Sequence, residues 1–229
     1  MNICDKKGDR IGQMAGRRHF QLVALWIALL VPAVRGQLLV QGHATAQDLA
    51  TGKILVARRH MADPNFAQTV ILLVQHDENG TVGLIVNRPT KIPLSRLAKE
   101  FEGVKGRSEP LYLGGPMERS GVMALVRSHT KPEDAKAVFA DVYMISVKET
   151  LEKAIAAATS SRLHLYLGYA GWDAGQLEWE LGMDAWDVLP PNSGMVFDPH
   201  TETLWNRLVE RENLQNAATP SRGSARQPG

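Results

Sequence analysis

The residues best placed to do chemistry in this 229-residue chain fall in a few short segments. His76 and Asp77 precede Asn79-Gly80, and a histidine beside a carboxylate could hold a divalent cation. A polar hairpin turn explains the same residues, because no second histidine stands at ligand spacing. Asn87-Arg88-Pro89 could present a guanidinium to an anion, or could end a strand with Arg88 paired to a nearby carboxylate. Gly114-Gly115-Pro116 could form a nest of backbone N–H groups for an anion, or a tight turn. The richest segment runs from Gly168 to Glu180, GYAGWDAGQLEWE. Its glycines permit a sharp strand-to-helix turn, whose free N–H groups suit an anion. Trp172 could stack a ring there, and Gln176 could make directional hydrogen bonds. In the alternative, Asp173 and Gln176 cap the helix themselves and Trp172 anchors the core. Glu178 and Glu180, two apart on a helix, do not share a face and make a poor acid–base pair by themselves.

The candidate ligand or partner surface is therefore Asn87, Arg88, Gly114, Gly115, Trp172, Gln176 and Glu178. No catalytic residue, metal-ligand set or cofactor is assigned, because the sequence contains no Walker, dinucleotide, nucleophile-elbow, HExxH or zinc-ribbon pattern.

These residues need elements to position them. Ile54–Ala57 reads as a strand, Thr69–Gln75 as a strand covered on both faces, and Thr81–Asn87 as its hairpin partner across Asn79-Gly80. Leu94–Phe101 has helical spacing. Leu111–Leu113, Val122–Val126 and Val142–Ile145 read as strands. Ser146 and Glu149 form a capping-box pattern before a helix with Leu151, Ala154, Ile155 and Ala158 as its stripe. Leu163–Tyr169 alternates as a strand. Asp173 and Gln176 open a helix ending near Leu181, with Gly182 as its left-handed cap. Trp186–Leu189 and Met195–Phe197 read as strands, and Thr201–Val209 as a last helix. Residues 212–229 are polar and are expected to be a disordered tail. A hairpin followed by irregular alternation of strands and helices favours α+β with a mixed, largely antiparallel sheet.

From Gly52 to Arg211 the chain resembles the AlgH/YqgE family of bacterial proteins. The resemblance rests on DPNF (Asp63–Phe66), HDENGTVGLIVNRP (His76–Pro89), LGGP (Leu113–Pro116) and GYAGWDAGQLEWE (Gly168–Glu180), followed by Trp186. It implies a single α+β domain in which bifurcated strands form a pseudo-barrel with flanking helices. It implies no catalytic residues and no DNA-binding motif, although members are described as transcriptional regulators. The chain departs from the family pattern at Leu125-Val126-Arg127, where a histidine is usual, and in its N-terminal segment, since the family is generally cytoplasmic.

That segment explains the charge. The full chain carries 26 basic and 24 acidic residues. Residues 1–36 hold Lys6, Lys7, Arg10, Arg17, Arg18 and Arg35 against Asp5 and Asp9, which leaves 20 basic and 22 acidic in the remainder, a net −2. A mildly acidic domain argues against nucleic acid as a partner and leaves room for a local basic patch. The single cysteine is Cys4, so the domain has no disulfide. Arg17-Arg18 precede an apolar run, Phe20–Val34, of signal-peptide length, with small-residue cleavage patterns ending at Gly36 and Ala46. Residues 1–46 are read as an export leader and 47–211 as the domain, with no transmembrane span in the mature chain. The expectation is a non-catalytic binding or regulatory module exported to the periplasm or beyond, with an unidentified protein or small ligand as partner. The alternatives are a cytoplasmic transcriptional regulator, if the start is misassigned, or a hydrolase using a carboxylate or His76 in a pocket.

Overall fold

Long β-branched runs and short polar turns build eight strands before the first α-helix in chain order. The computed structural model describes residues 45–218, and for 212–218 only the backbone. Its strands are β1 (Ile54–Ala57), β2 (Val70–Asp77), β3 (Gly80–Ile85), β4 (Pro89–Pro93), β5 (Pro110–Leu113), β6 (Met117–Arg127), β7 (Lys136–Phe139), β8 (Val142–Ile145), β9 (Leu163–Trp172) and β10 (Trp186–Leu189). Its helices are α1 (Lys148–Ala157), α2 (Gln176–Gly182), α3 (Ser193–Val196) and α4 (Thr201–Ala218).

The strands run in the order β10-β1-β2-β3-β9-β6-β8-β7. Every neighbour on that path is antiparallel. A branch, β4–β5, joins β9 in parallel. Strand β9 is where the sheet forks. Along Leu163–Tyr169 it pairs with β6, while Tyr166-Leu167 pair with β5 and Ala170–Trp172 pair with β3. The sheet curls until β7 meets β2, where Lys136 Nζ donates to Gln75 Oε1 at 2.8 Å. No backbone ladder joins those two strands, so the barrel-like sheet stays open.

Alternation along the strands sorts the core into three clusters. Ile54, Val56, Val70, Leu72, Val74, Leu84 and Tyr166 point into the curl, which Leu204, Trp205 and Val209 of α4 close. Leu55, Ile71, Leu73 and Ile85 point the other way, onto Leu177 and Leu181 of α2 and onto Trp172 and Trp186. Ala124, Val126, Ile145 and Leu165 meet Leu151 and Ile155 of α1. Two-sided cover explains the unbroken apolar runs of β1 and β2. Each fully buried aliphatic side chain contributes roughly 1.5–3 kcal/mol. The α+β, largely antiparallel architecture read from the sequence and the forked strands implied by the resemblance are both observed.

Several local expectations are corrected. The hairpin register pairs Asp77 with Gly80, so its central residues are Glu78-Asn79, and of this turn only Gly80 has positive φ, +130°. The turn is held by the Asp77 carboxylate accepting from the Asn79 amide at 2.9 Å. Leu94–Phe101 is not an α-helix but a 3-10 turn, Leu94–Leu97, and a following turn. The first amides of this segment are diverted outward, Leu94 to the Glu109 carbonyl and Ser95 to the Arg107 carbonyl. Helix α1 takes Val147, extended, as its N-cap, so Ser146 stands one residue too early to cap it. Met195–Phe197 belongs with the helical turn α3, which Asn192 caps by accepting from the amides of Gly194 and Met195. The left-handed residue after α2 is Asp184 (φ +60°), not Gly182. Strand β7 has no counterpart in the sequence reading. Helix α4 continues past Val209 to Ala218, through the first residues of the expected tail. Glu, Leu, Gln and Ala there are good helix formers despite the low apolar content. The leader lies outside the described residues except for Thr45-Ala46. The cleavage point after Ala46 falls in a short turn, Ala46–Asp48, capped by Thr45. Residues 219–229 also lie outside.

Candidate functional site

Asn87 and Arg88 leave β3 facing the loop that joins β1 to β2. The Asn87 side chain, 8% exposed, accepts from the Val70 amide at 2.8 Å and donates to the Gln68 carbonyl at 2.9 Å. The Arg88 guanidinium donates to the carbonyls of Asn65 and Ala67 at 2.6 and 3.0 Å. Burial lowers the Arg88 pKa, and the Asp63 carboxylate opposes that. The two side chains thus grip the DPNF loop from both ends, with Gln68 held at φ +58°. They also border an open cleft of about 450 Å³ that Gln68, Leu113 and Glu202 help to line.

The clamped loop presents Phe66 to the tryptophans. Phe66 stacks on Trp172 at 5.6 Å and meets Trp186 edge-on at 5.7 Å. Trp172 is 4% exposed and Trp186 1%. Both indole N–H groups donate to Oε2 of Glu180, at 3.0 and 2.8 Å. Gln176 donates to the other oxygen of Glu180 at 3.0 Å and accepts from the Asp173 amide at 3.1 Å. Only that half of the expected Asp173–Gln176 cap forms, since the residue preceding α2 is Gly175 in left-handed geometry. The structure therefore unites Trp172 and Gln176 around Glu180, which the sequence reading had set aside. Its i, i+4 spacing from Gln176 was the available signal.

Gly114 and Gly115 lie against β9 at the fork. The Gly114 amide donates to the Leu167 carbonyl and its carbonyl accepts from the Ile85 amide, both at 2.9 Å. A Cβ on Gly115 would lie well under 3.0 Å from the backbone of Tyr169 and Ala170. The two glycines let three strands approach one point, and the Gly114 amide is not free for an anion.

Glu178 stands apart from that group. Its Oε1 lies 3.9 Å from His76 Nε2, and His76 Nδ1 meets the Thr81 hydroxyl at 2.8 Å. A carboxylate, an imidazole and a hydroxyl in line resemble a proton relay, but Thr81 is 3% exposed and offers no access for a substrate. Asp77 is turned to Gln75 and Asn79. Among the described residues, no group of three or more His, Cys, Asp or Glu side chains could hold a metal ion.

A second polar group lies inside the curl and went unread in the sequence. His164 stacks on Tyr112 at 4.5 Å and faces Phe197 at 5.1 Å. Burial draws its pKa from 6.5 down to about 4, against a hydrogen bond with the Val196 backbone. Burial raises the Tyr112 phenol; the charges of Glu202 and Asp198 add to this, and its bond with Thr201 works against it. Tyr166, fully buried, is raised well above its ordinary range by burial and by Tyr112. His164 Nδ1 and the Tyr166 hydroxyl have no hydrogen-bond partner among the described residues.

The forked sheet and its glycine and tryptophan junctions define a class of small α+β domain, and comparison supplies the family. The AlgH-like family model matches residues 54–217, and the chain belongs to that family. It is 33% identical over 168 residues to a UPF0301 protein of Streptomyces coelicolor, covering 71% of this chain and 86% of the relative. It is 34% identical over 163 residues to one from Chlorobaculum tepidum, covering 70% and 86%. The solution structure of the AlgH protein from Pseudomonas aeruginosa aligns with a TM-score of 0.59 at 32% identity, over 76% of this chain and 95% of that one. A crystal structure of a Corynebacterium diphtheriae protein aligns at 0.62 and 23% identity, over 71% and 87%, which speaks to the fold alone.

Proposed function

We propose that this chain is a non-catalytic binding or regulatory module that acts in the bacterial envelope after export. One observation carries the reading: Asn87, Arg88, Glu180 and the Gly114-Gly115 turn are spent on the fold's own backbone and side chains. The Trp172 indole is bound by Glu180, Asn87 is bonded at both ends, Arg88 holds two backbone carbonyls, and Gly114 and Gly115 are closed over by β9. A hydrolase needs a nucleophile or activated water beside its base with room for a substrate. The approach of His76 to Glu178 ends on a buried hydroxyl. The basic, apolar N-terminal segment supports export.

Two measurements test this. Purified protein screened against ester, phosphate and peptide substrates is expected to show no saturable turnover. Turnover that Glu178→Gln or Arg88→Ala abolished would contradict the reading. N-terminal sequencing of the native protein is expected to find Gln37 or Gln47 first, in the envelope fraction. An intact N-terminus in the cytosol would remove export.

A further inference from the structure

We propose that the concavity between the β6–β7 loop and the C-terminal half of α1 binds a small anionic amphiphile, an acidic head group on a short hydrocarbon or ring body. The site deepens the binding-module reading by giving it a ligand class, and it lies away from Asn87, Arg88, the Gly114-Gly115 turn and the Trp172–Glu180 group.

Charge is the first argument. Arg127, Lys153 and Arg162 line the cavity with His129, against one lining carboxylate, Glu133. With the histidine neutral the lining is net +2, in a domain whose residues 37–229 sum to −2. A positive concavity in an acidic surface concentrates anions.

The cations divide in two. Arg127 is paired with Asp141 at 2.7 Å and Lys153 with Glu133 at 3.1 Å. Arg162 meets the imidazole of His129 at 3.3 Å, and among the described residues no carboxylate lies within ion-pair distance of it. In that contact the Arg162 guanidinium donates to His129 Nε2. Arg162 keeps further N–H groups for an incoming acid. A guanidinium with a neighbouring imidazole suits a carboxylate or phosphate oxygen pair.

Shape supplies the rest. The cavity measures about 530 Å³, within the range of small-molecule sites. One wall is Ala154 and Ala157 of α1 and Ala158 just after it, with Val126 beside them. Short side chains there leave an apolar trough that a bare inorganic ion would not use. Nucleic acid would require an extended basic stripe instead of one concavity.

The test is titration of the full-length protein with octanoate, octyl phosphate, octanol and inorganic phosphate below micellar concentrations, followed by amide chemical shifts. At least one of the two anionic amphiphiles is expected to bind saturably, with shifts centred on residues 126–133 and 153–162. Whichever binds more tightly identifies the head group as carboxylate or phosphate. Octanol and inorganic phosphate are expected to bind at least about ten-fold more weakly. Arg162→Ala is expected to weaken binding about ten- to hundred-fold, and His129→Ala by less, both with an unchanged urea midpoint. The proposal is overturned if neither amphiphile binds, if octanol or inorganic phosphate binds as tightly as the amphiphile, or if Arg162→Ala leaves affinity unchanged. The binding-module reading stands or falls separately, on the turnover screen.

Discussion

A Cβ placed on Gly115 separates the scaffold account from an anion-nest account. Alanine keeps the N–H that a nest needs but adds one carbon. That carbon would lie well under 3.0 Å from the carbonyl carbon and oxygen of Tyr169 and from the nitrogen of Ala170. Relief requires β9 to move by about 1 Å or more, since favourable carbon contacts begin near 3.5 Å. Strand β9 cannot move freely there, because Tyr169 pairs with Met117 of β6 and Ala170 with Gly83 of β3. The clash is with backbone, so no rotamer absorbs it. Overpacking that side chains can relieve costs about 1–3 kcal/mol, and Gly115→Ala is expected to cost about 4 kcal/mol or more. For a domain of this size that lowers the melting temperature by about 10 °C. Two other glycines calibrate the series. Gly175 has open space but φ +79°, so alanine there costs about 1–2 kcal/mol of left-handed strain. Gly182 has open space within a helix, so alanine is neutral or stabilising by about 0.5–1 kcal/mol. Urea unfolding followed by tryptophan fluorescence measures all three. A Gly115→Ala protein as stable as wild type would refute the reasoning.

Glu180→Leu removes the shared acceptor of two buried indoles and is expected to cost about 2–4 kcal/mol in the same unfolding assay, with Glu180→Gln losing less. Arg88→Lys replaces a fork that reaches two carbonyls with a single ammonium. It is expected to cost about 1–2 kcal/mol and to expose the Asp63–Gln68 loop to limited proteolysis. His164 is held neutral in the folded state down to about pH 4, whereas the unfolded chain takes up the proton near 6.5. Its contribution is therefore fully present above pH 6.5 and is lost as the pH falls from 6.5 to 4, by about 3 kcal/mol in all. Urea midpoints across that window should flatten for His164→Phe relative to wild type.

What the sequence made legible follows from range. Ile54–Ala57, Val142–Ile145 and Trp186–Leu189 were read with their observed ends, because a short apolar run between turn residues has one sensible strand. Leu151, Ala154, Ile155 and Ala158 were read as the packed face of α1, and they do pack. Errors arose where distant chain decides local structure. Leu94–Phe101 has a helical pattern, yet its first two amides go to the Glu109 and Arg107 carbonyls, and Ala98 and Glu100 bond three residues back instead of four. Gly168–Gly171 looked like the end of a strand, whereas β9 runs through them to reach β3. The site was less legible than the fold. Trp172 and Gln176 stood in one segment, and the Glu180 carboxylate that joins them was missed. The alternative of Trp172 as a core anchor fits its 4% exposure. The basic run around Arg127 and His129 was a signal in an acidic domain, but Lys153 and Arg162 join it only through the fold.

Hydrogen exchange at the tryptophan indoles tests most directly the claim that the motif residues build the scaffold and do not face a ligand. Trp172, Trp186 and Trp205 donate to Glu180, Glu180 and the Ala57 carbonyl, while Trp179 is 66% exposed. The account expects the first three indole protons to exchange only on global unfolding and that of Trp179 to exchange at once. A Trp172 indole that exchanges as fast as Trp179 would contradict it.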